Sequence, residues 1–136
     1  MDSTNISLLS GTTLHSPTTA YKIVRTLGQG TFGITYLAEV NVDGALSALC
    51  ATVYVTVKEF FMSKINGRKG TAVTNSDDGG YFEYYKKRFI KEAQKLKTLK
   101  HPNIVKVAET FESSGTAYYV MEYIDGQTLK NLIKKR

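Results

Sequence analysis

The sequence predicts an α+β domain, a five-stranded antiparallel sheet carrying one main helix, and three observations point there. Residues 21–27 and 51–58 alternate apolar and polar side chains, as half-buried strands do. Over 81–99 the apolar spacing changes to three and four residues, the period of a helix packed on one side. Two further β-rich runs, 104–111 and 116–123, are separated by Ser113-Ser114-Gly115, which reads as a hairpin turn. Strands interrupted by a single helix give this class.

Taken in order, residues 1–20 form a polar leader rich in Ser and Thr, with any order centred on Leu8, Leu9 and Leu14. The first strand, Tyr21-Lys22-Ile23-Val24-Arg25-Thr26-Leu27, runs into Gly28-Gln29-Gly30-Thr31-Phe32-Gly33, and a second strand follows over 34–38. A loop is expected around Asn41-Val42-Asp43-Gly44, then the third strand over 51–58. The stretch 60–80 is long and carries turn signals at Asn66-Gly67 and Asp78-Gly79-Gly80. It reads as a mobile insertion with some β structure near 70–74. In the helix, Phe82, Tyr85, Phe89, Ala93 and Leu96 make one apolar stripe, which Glu92 borders. Pro102 stops the helix, and His101 before it favours an extended backbone. After the hairpin, 128–135 begins another helix with Leu129, Leu132 and Ile133 on one face.

The glycine stretch is G-x-G-x-x-G at Gly28, Gly30 and Gly33. Its dinucleotide-binding version needs a helix directly afterwards, whose N-terminus faces a pyrophosphate. A strand follows here instead, which suits a flap whose bare backbone lies over nucleotide phosphates. Lys58 sits in the apolar strand Val55-Thr56-Val57-Lys58-Glu59-Phe60. An unpaired buried ammonium is costly, so such a lysine either points to solvent or has an anionic partner. Glu92, on the helix, reads by itself as an exposed charge that can pair with Lys91 or Lys95.

These features occur in a fixed order: the glycine stretch, Lys58, Glu92, His101-Pro102-Asn103-Ile104-Val105, and Tyr119-Val120-Met121-Glu122-Tyr123-Ile124-Asp125-Gly126. In that order they resemble the N-terminal lobe of a protein kinase, most like the eukaryotic-type serine/threonine kinases of bacteria, over about 21–136. The resemblance implies an ATP-binding lobe over 21–126 and the start of the next lobe's first helix over 127–136. It implies that Lys58 pairs with the α- and β-phosphates of ATP and that Glu92 orients Lys58. Phe32 would shield the phosphates, Leu27, Thr35 and Thr56 would bracket adenine, Met121 would be the gatekeeper, and Glu122 to Ile124 the hinge. Leu96 and Val107 match the upper part of the hydrophobic spine. The family usually has Val at the position of Thr35 and Ala at that of Thr56, so each adds a hydroxyl needing a partner in an apolar pocket.

The second half of the family pattern, His-Arg-Asp with its trailing Asn and then Asp-Phe-Gly, is absent from these residues. Those residues position the substrate hydroxyl and hold Mg²⁺. The expectation is therefore an N-lobe without its C-lobe, inactive alone, belonging to an enzyme that uses ATP and Mg²⁺ on a protein substrate. The alternative is a stand-alone, non-catalytic kinase-like lobe acting as a binding or regulatory module. Bare apolar surface near Leu129, Leu132 and Ile133 predicts self-association.

Composition fits a globular domain: 136 residues, 42% hydrophobic and 22% charged. The net charge of +6 comes largely from Lys86, Lys87, Arg88, Lys91, Lys95, Lys97 and Lys100, which reads as a solvated helix face rather than a nucleic-acid surface. Cys50 is the sole cysteine, so no intramolecular disulfide forms, and no metal site is expected. No apolar run approaches membrane-spanning length, and a cytoplasmic location is expected.

Overall fold

The computed structural model describes residues 7–43, 50–75, 80–98 and 107–123. In chain order they form β1 (Thr13–His15), β2 (Ala20–Gln29), β3 (Gly33–Asp43), β4 (Cys50–Phe60), β5 (Asn66–Lys69), β6 (Ala72–Asn75), α1 (Tyr81–Thr98), β7 (Val107–Ser113) and β8 (Thr116–Glu122). The main sheet is antiparallel in the order β1-β2-β3-β4-β8-β7, and β5 pairs only with β6.

The sheet thus has six strands rather than five, and the extra one comes from the polar leader. Thr13, Leu14 and His15 pair with Lys22, Tyr21 and Ala20, and Leu14 points inward at 2% exposure. Three residues with one apolar side chain are too short a pattern to register as a strand. The loop expected around Asn41 is instead ladder: β3 continues to Asp43, opposite Cys50. Asn66-Gly67 is not a turn either. The Asn66 side chain accepts from the Met62 N–H at 2.7 Å and donates to the Thr74 carbonyl at 3.2 Å, which anchors the start of β5. The turn falls at Gly70, where φ is 64°. Within the segment read as a mobile insertion, residues 66–75 therefore form a two-stranded hairpin. Its Val73 N–H bonds to the Ser114 carbonyl at 2.8 Å, docking it on the β7–β8 turn. That turn uses left-handed φ at Ser114 (53°) and Gly115 (81°), as tight hairpins do. A Cβ on Gly115 would meet the Val73 carbonyl at 2.8 Å. The helix at 128–135, and Ile104 to Lys106 of the predicted strand, lie outside the described residues.

Strand alternation gives the sheet two faces with different tasks. Ile34, Tyr36 and Ala38 of β3, Val57 of β4, and Tyr118 and Val120 of β8 form one core with Leu8, Leu14, Phe111 and Val73. On the opposite face α1 docks through aromatic rings, with Phe60 against Phe82 and Phe89 (both 5.3 Å) and Phe89 against Tyr119 (5.0 Å). Lys86 ties the helix to β7 by bridging Glu83 and Glu112 at 3.3 and 3.0 Å.

A carboxylate lies inside the core. Glu59, fully buried, accepts from the Tyr36 hydroxyl (2.7 Å), the Tyr118 hydroxyl (2.7 Å) and both terminal nitrogens of Arg68 (2.5 and 3.2 Å). Four donors match the lone pairs of a two-oxygen acceptor. Tyr36 in turn accepts the Leu8 N–H at 3.0 Å, so the leader is bonded into the same network.

Burial first, then the Glu59 charge, pushes the Tyr36 and Tyr118 hydroxyls well above the ordinary phenol range. The folded chain therefore keeps these protons where the unfolded chain loses them, above about pH 10. Stability should be undiminished by these groups below that pH and fall as pH rises beyond it. Urea midpoints measured at about pH 8, 10 and 11 check this; a midpoint that does not drop at the highest pH contradicts it.

Candidate functional site

The glycine stretch is the turn joining β2 to β3, closed by a Gly30 N–H bond to the Gly33 carbonyl at 2.8 Å. The chain leaving β4 braces it, with N–H bonds from Phe61 to the Phe32 carbonyl (3.2 Å) and from Ser63 to the Thr31 carbonyl (3.1 Å). Gly33 is glycine for space: a Cβ there would lie 3.1 Å from the Glu59 carbonyl and 3.4 Å from Lys58 Cε. Its missing side chain is what lets the loop lie against the lysine stem. At the tip, Phe32 is 49% exposed and its ring sits 5.5 Å from that of Tyr85 on α1.

Between the loop, β4 and α1 lies a cavity of about 600 Å³, within the size range of small-molecule sites. Gly28, Gly30, Phe32, Gly33, Thr35, Lys58 and Glu92 all line it, so seven residues singled out in the sequence converge. Lys58 is half-buried, and its Nζ lies 6.0 Å from the Tyr119 ring centroid. Lys58 and Glu59 are neighbours on one strand, so alternation sends one into the cavity and the other into the core.

Glu92 departs from the arrangement expected of it. It lines the same cavity but is exposed, and among the described residues no ion pair within 4.0 Å joins it to Lys58. The helix stands with the pair open. Leu27, Thr56, Met121 and Glu122 are not among the residues lining the cavity. Thr56 pairs with Met121 across the β4–β8 ladder and is 8% exposed. Among the described residues no fully buried side-chain N or O lacks a partner. Ile124 lies outside the described residues. Leu96 is half-buried and Val107 buried.

Sequence reasoning missed Gln29, Phe60, Tyr85, Arg88 and Phe89 as walls of this cavity. For two of them, Tyr85 and Arg88, the signal was present. Tyr85, Arg88 and Glu92 are spaced three and four apart, hence on one helix face. Among the described residues no group of three or more His, Cys, Asp or Glu side chains is placed to hold a metal ion. No described helix is long and apolar enough to cross a membrane.

The family model described as protein kinase domain matches residues 21–136. The chain belongs to the protein kinase family. It is 29% identical over 120 residues to the serine/threonine-protein kinase cds1 of Schizosaccharomyces pombe, covering 88% of this chain and 22% of that protein. It is 32% identical over 114 residues to the serine/threonine-protein kinase PknD of Chlamydia abortus (84% of this chain, 10% of the relative). A solved structure, PpkA-294 in its apo form, superposes with a TM-score of 0.74 at 28% identity, covering 97% of this chain and 44% of that one. The chain therefore spans less than half the length of each of these relatives. Its fold is the kinase N-lobe, with serine/threonine kinases as its relatives.

Proposed function

We propose that this chain is the ATP-binding lobe of a serine/threonine protein kinase, with Gly28, Gly30 and Gly33 cradling phosphates and Lys58 as their counter-charge. The observation that carries this is Lys58: an ammonium without a carboxylate partner, facing the cavity that the glycine backbone covers. A phosphate chain is the anion that such a cavity can take. Phe32 would keep water from it, while Leu27, Thr35, Thr56, Met121 and Glu122 would serve the base. Bound ATP supplies the phosphoryl group. These residues orient it and neutralise its charge, and Glu92 fixes Lys58 once the helix closes the gap between them. In the intact enzyme the acceptor is a Ser or Thr hydroxyl of a protein, in the cytoplasm where ATP is available. Mg²⁺ would need ligands beyond the described residues, so no step here runs through it.

Nucleotide binding by this chain should be weak, and Lys58→Ala should lower it about tenfold or more, the worth of a charge-assisted contact. Titration of the ¹⁵N-labelled chain with ATP, followed by NMR, measures both. Binding that survives Lys58→Ala unchanged refutes the assignment.

The open Lys58–Glu92 pair favours a second reading, a non-catalytic lobe that binds or regulates. Reading the gene past the codon for Arg136 separates the two. An open frame reaching His-Arg-Asp and Asp-Phe-Gly supports the enzyme, and an immediate stop supports the module.

A further inference from the structure

The cleft contains a cation that the roles given above leave unused. Arg88 lines the cavity from α1, one turn before Glu92, so the two share a helix face. Its guanidinium lies over the rings of Tyr84 (5.8 Å) and Tyr85 (6.0 Å), which holds it in place at the cavity wall. Among the described residues no carboxylate comes within 4.0 Å of Arg88 or of Lys58. One cavity thus presents two uncompensated cations and a single carboxylate, Glu92. One carboxylate against two cations leaves the cavity with a net positive charge for an external anion.

Position along the cleft says which part of that anion. Phe32, at the tip of the glycine loop, touches Tyr85, three residues before Arg88. Arg88 therefore stands under the loop tip, whereas Lys58 stands under its returning strand, beside Gly33. A nucleotide whose base sits toward Thr35, which lines the cavity opposite Lys58 on the β3–β4 ladder, would extend its phosphates toward the tip. We infer that Arg88 is a second phosphate-binding residue of this cleft, directed at the terminal phosphates, and that it makes the site selective for nucleoside di- and triphosphates over monophosphates. A guanidinium suits that task better than an ammonium, because its planar fork can grip two oxygens of one phosphate.

This rests on the nucleotide reading proposed above, and the test separates the two. The full chain and its Arg88→Ala, Arg88→Lys and Arg88→Gln variants are titrated with ATP, ADP and AMP, with amide shifts as readout and thermal melting as the check on folding. The expected result is an Arg88→Ala variant that melts like the parent, binds ATP about tenfold more weakly and binds AMP unchanged. Arg88→Lys should recover part of the loss and Arg88→Gln none. ATP binding unaltered in Arg88→Ala overturns the inference and leaves the nucleotide site standing. An equal loss for all three nucleotides also overturns it, since that is the mark of a structural role. A parent chain that binds none of them overturns the nucleotide reading and this inference together.

Discussion

Replacing Glu59 by alanine is expected to destabilise the chain by about 3–5 kcal/mol, the cost of removing one partner from a buried ion pair. Its carboxylate is the common acceptor of Tyr36, Tyr118 and Arg68, and all three lie on elements that β4 must hold together. Without it the guanidinium loses its carboxylate, keeping bonds to the Thr71 carbonyl (3.1 Å) and the Tyr36 hydroxyl (3.4 Å), and two buried hydroxyls lose their acceptor. For a chain of this size the loss corresponds to a melting temperature roughly 10–20 °C lower. Since domains are stable by only about 5–15 kcal/mol, a large share of the margin disappears. The double change Glu59→Leu with Arg68→Met should be more stable than Glu59→Leu alone, because it withdraws the stranded charge as well. Recovery stays partial, as the tyrosines still lack an acceptor. Thermal melts of the two singles and the double decide this. A Glu59→Ala chain melting within about 2 °C of the parent would remove Glu59 from its central place.

The contrast between Lys58 and Glu59 shows what the sequence made legible. Lys58 could be placed from the pattern around it: an apolar strand, a glycine turn before it, a helical carboxylate after it. Glu59 has the same strand context and went unread, because its partners are 9, 23 and 59 residues away in sequence. Such a network has no local period. The glycine turn was legible because its conformation is dictated within a few residues. The helix was legible because five apolar positions repeat over its length. The leader was legible only in part: of Leu8, Leu9 and Leu14, on which its order was centred, Leu8 and Leu14 are buried, but so few apolar positions carry no period that marks a strand. The open Lys58–Glu92 pair was not legible either. Residue identity says that two groups suit each other, but the distance between them depends on how α1 rides over Phe60 and Tyr119.

Cutting the chain at the family boundary, so that it begins at Tyr21, is expected to cost about 5 kcal/mol or more, and Leu14→Ala alone about 2–5 kcal/mol. The matched family segment starts at Tyr21, which suggests a dispensable leader. The packing argues otherwise. Leu8 (5% exposed) and Leu14 (2%) fill the core beside Tyr36 and Ile23. The backbone bonds Ile23 N–H to the Thr12 carbonyl (2.7 Å) and Gly11 N–H to the Ile23 carbonyl (2.8 Å) secure the edge of β2. Farther along, Ser16 donates to Glu109 on β7 at 2.9 Å, and Tyr21 bonds the same carboxylate, so the leader clasps both ends of the sheet. Losing it strips the core face of the two strands, β3 and β4, whose other face carries Thr35 and Lys58. Leu9 supplies an internal control, being 69% exposed one residue from Leu8. Leu9→Ala should change stability by less than about 0.5 kcal/mol, as surface substitutions do. Urea denaturation of the Leu8, Leu9 and Leu14 alanine variants makes the comparison. Equal midpoints for all three would mean that the leader does not hold the core, and that the fold stands on the segment from Tyr21 onward.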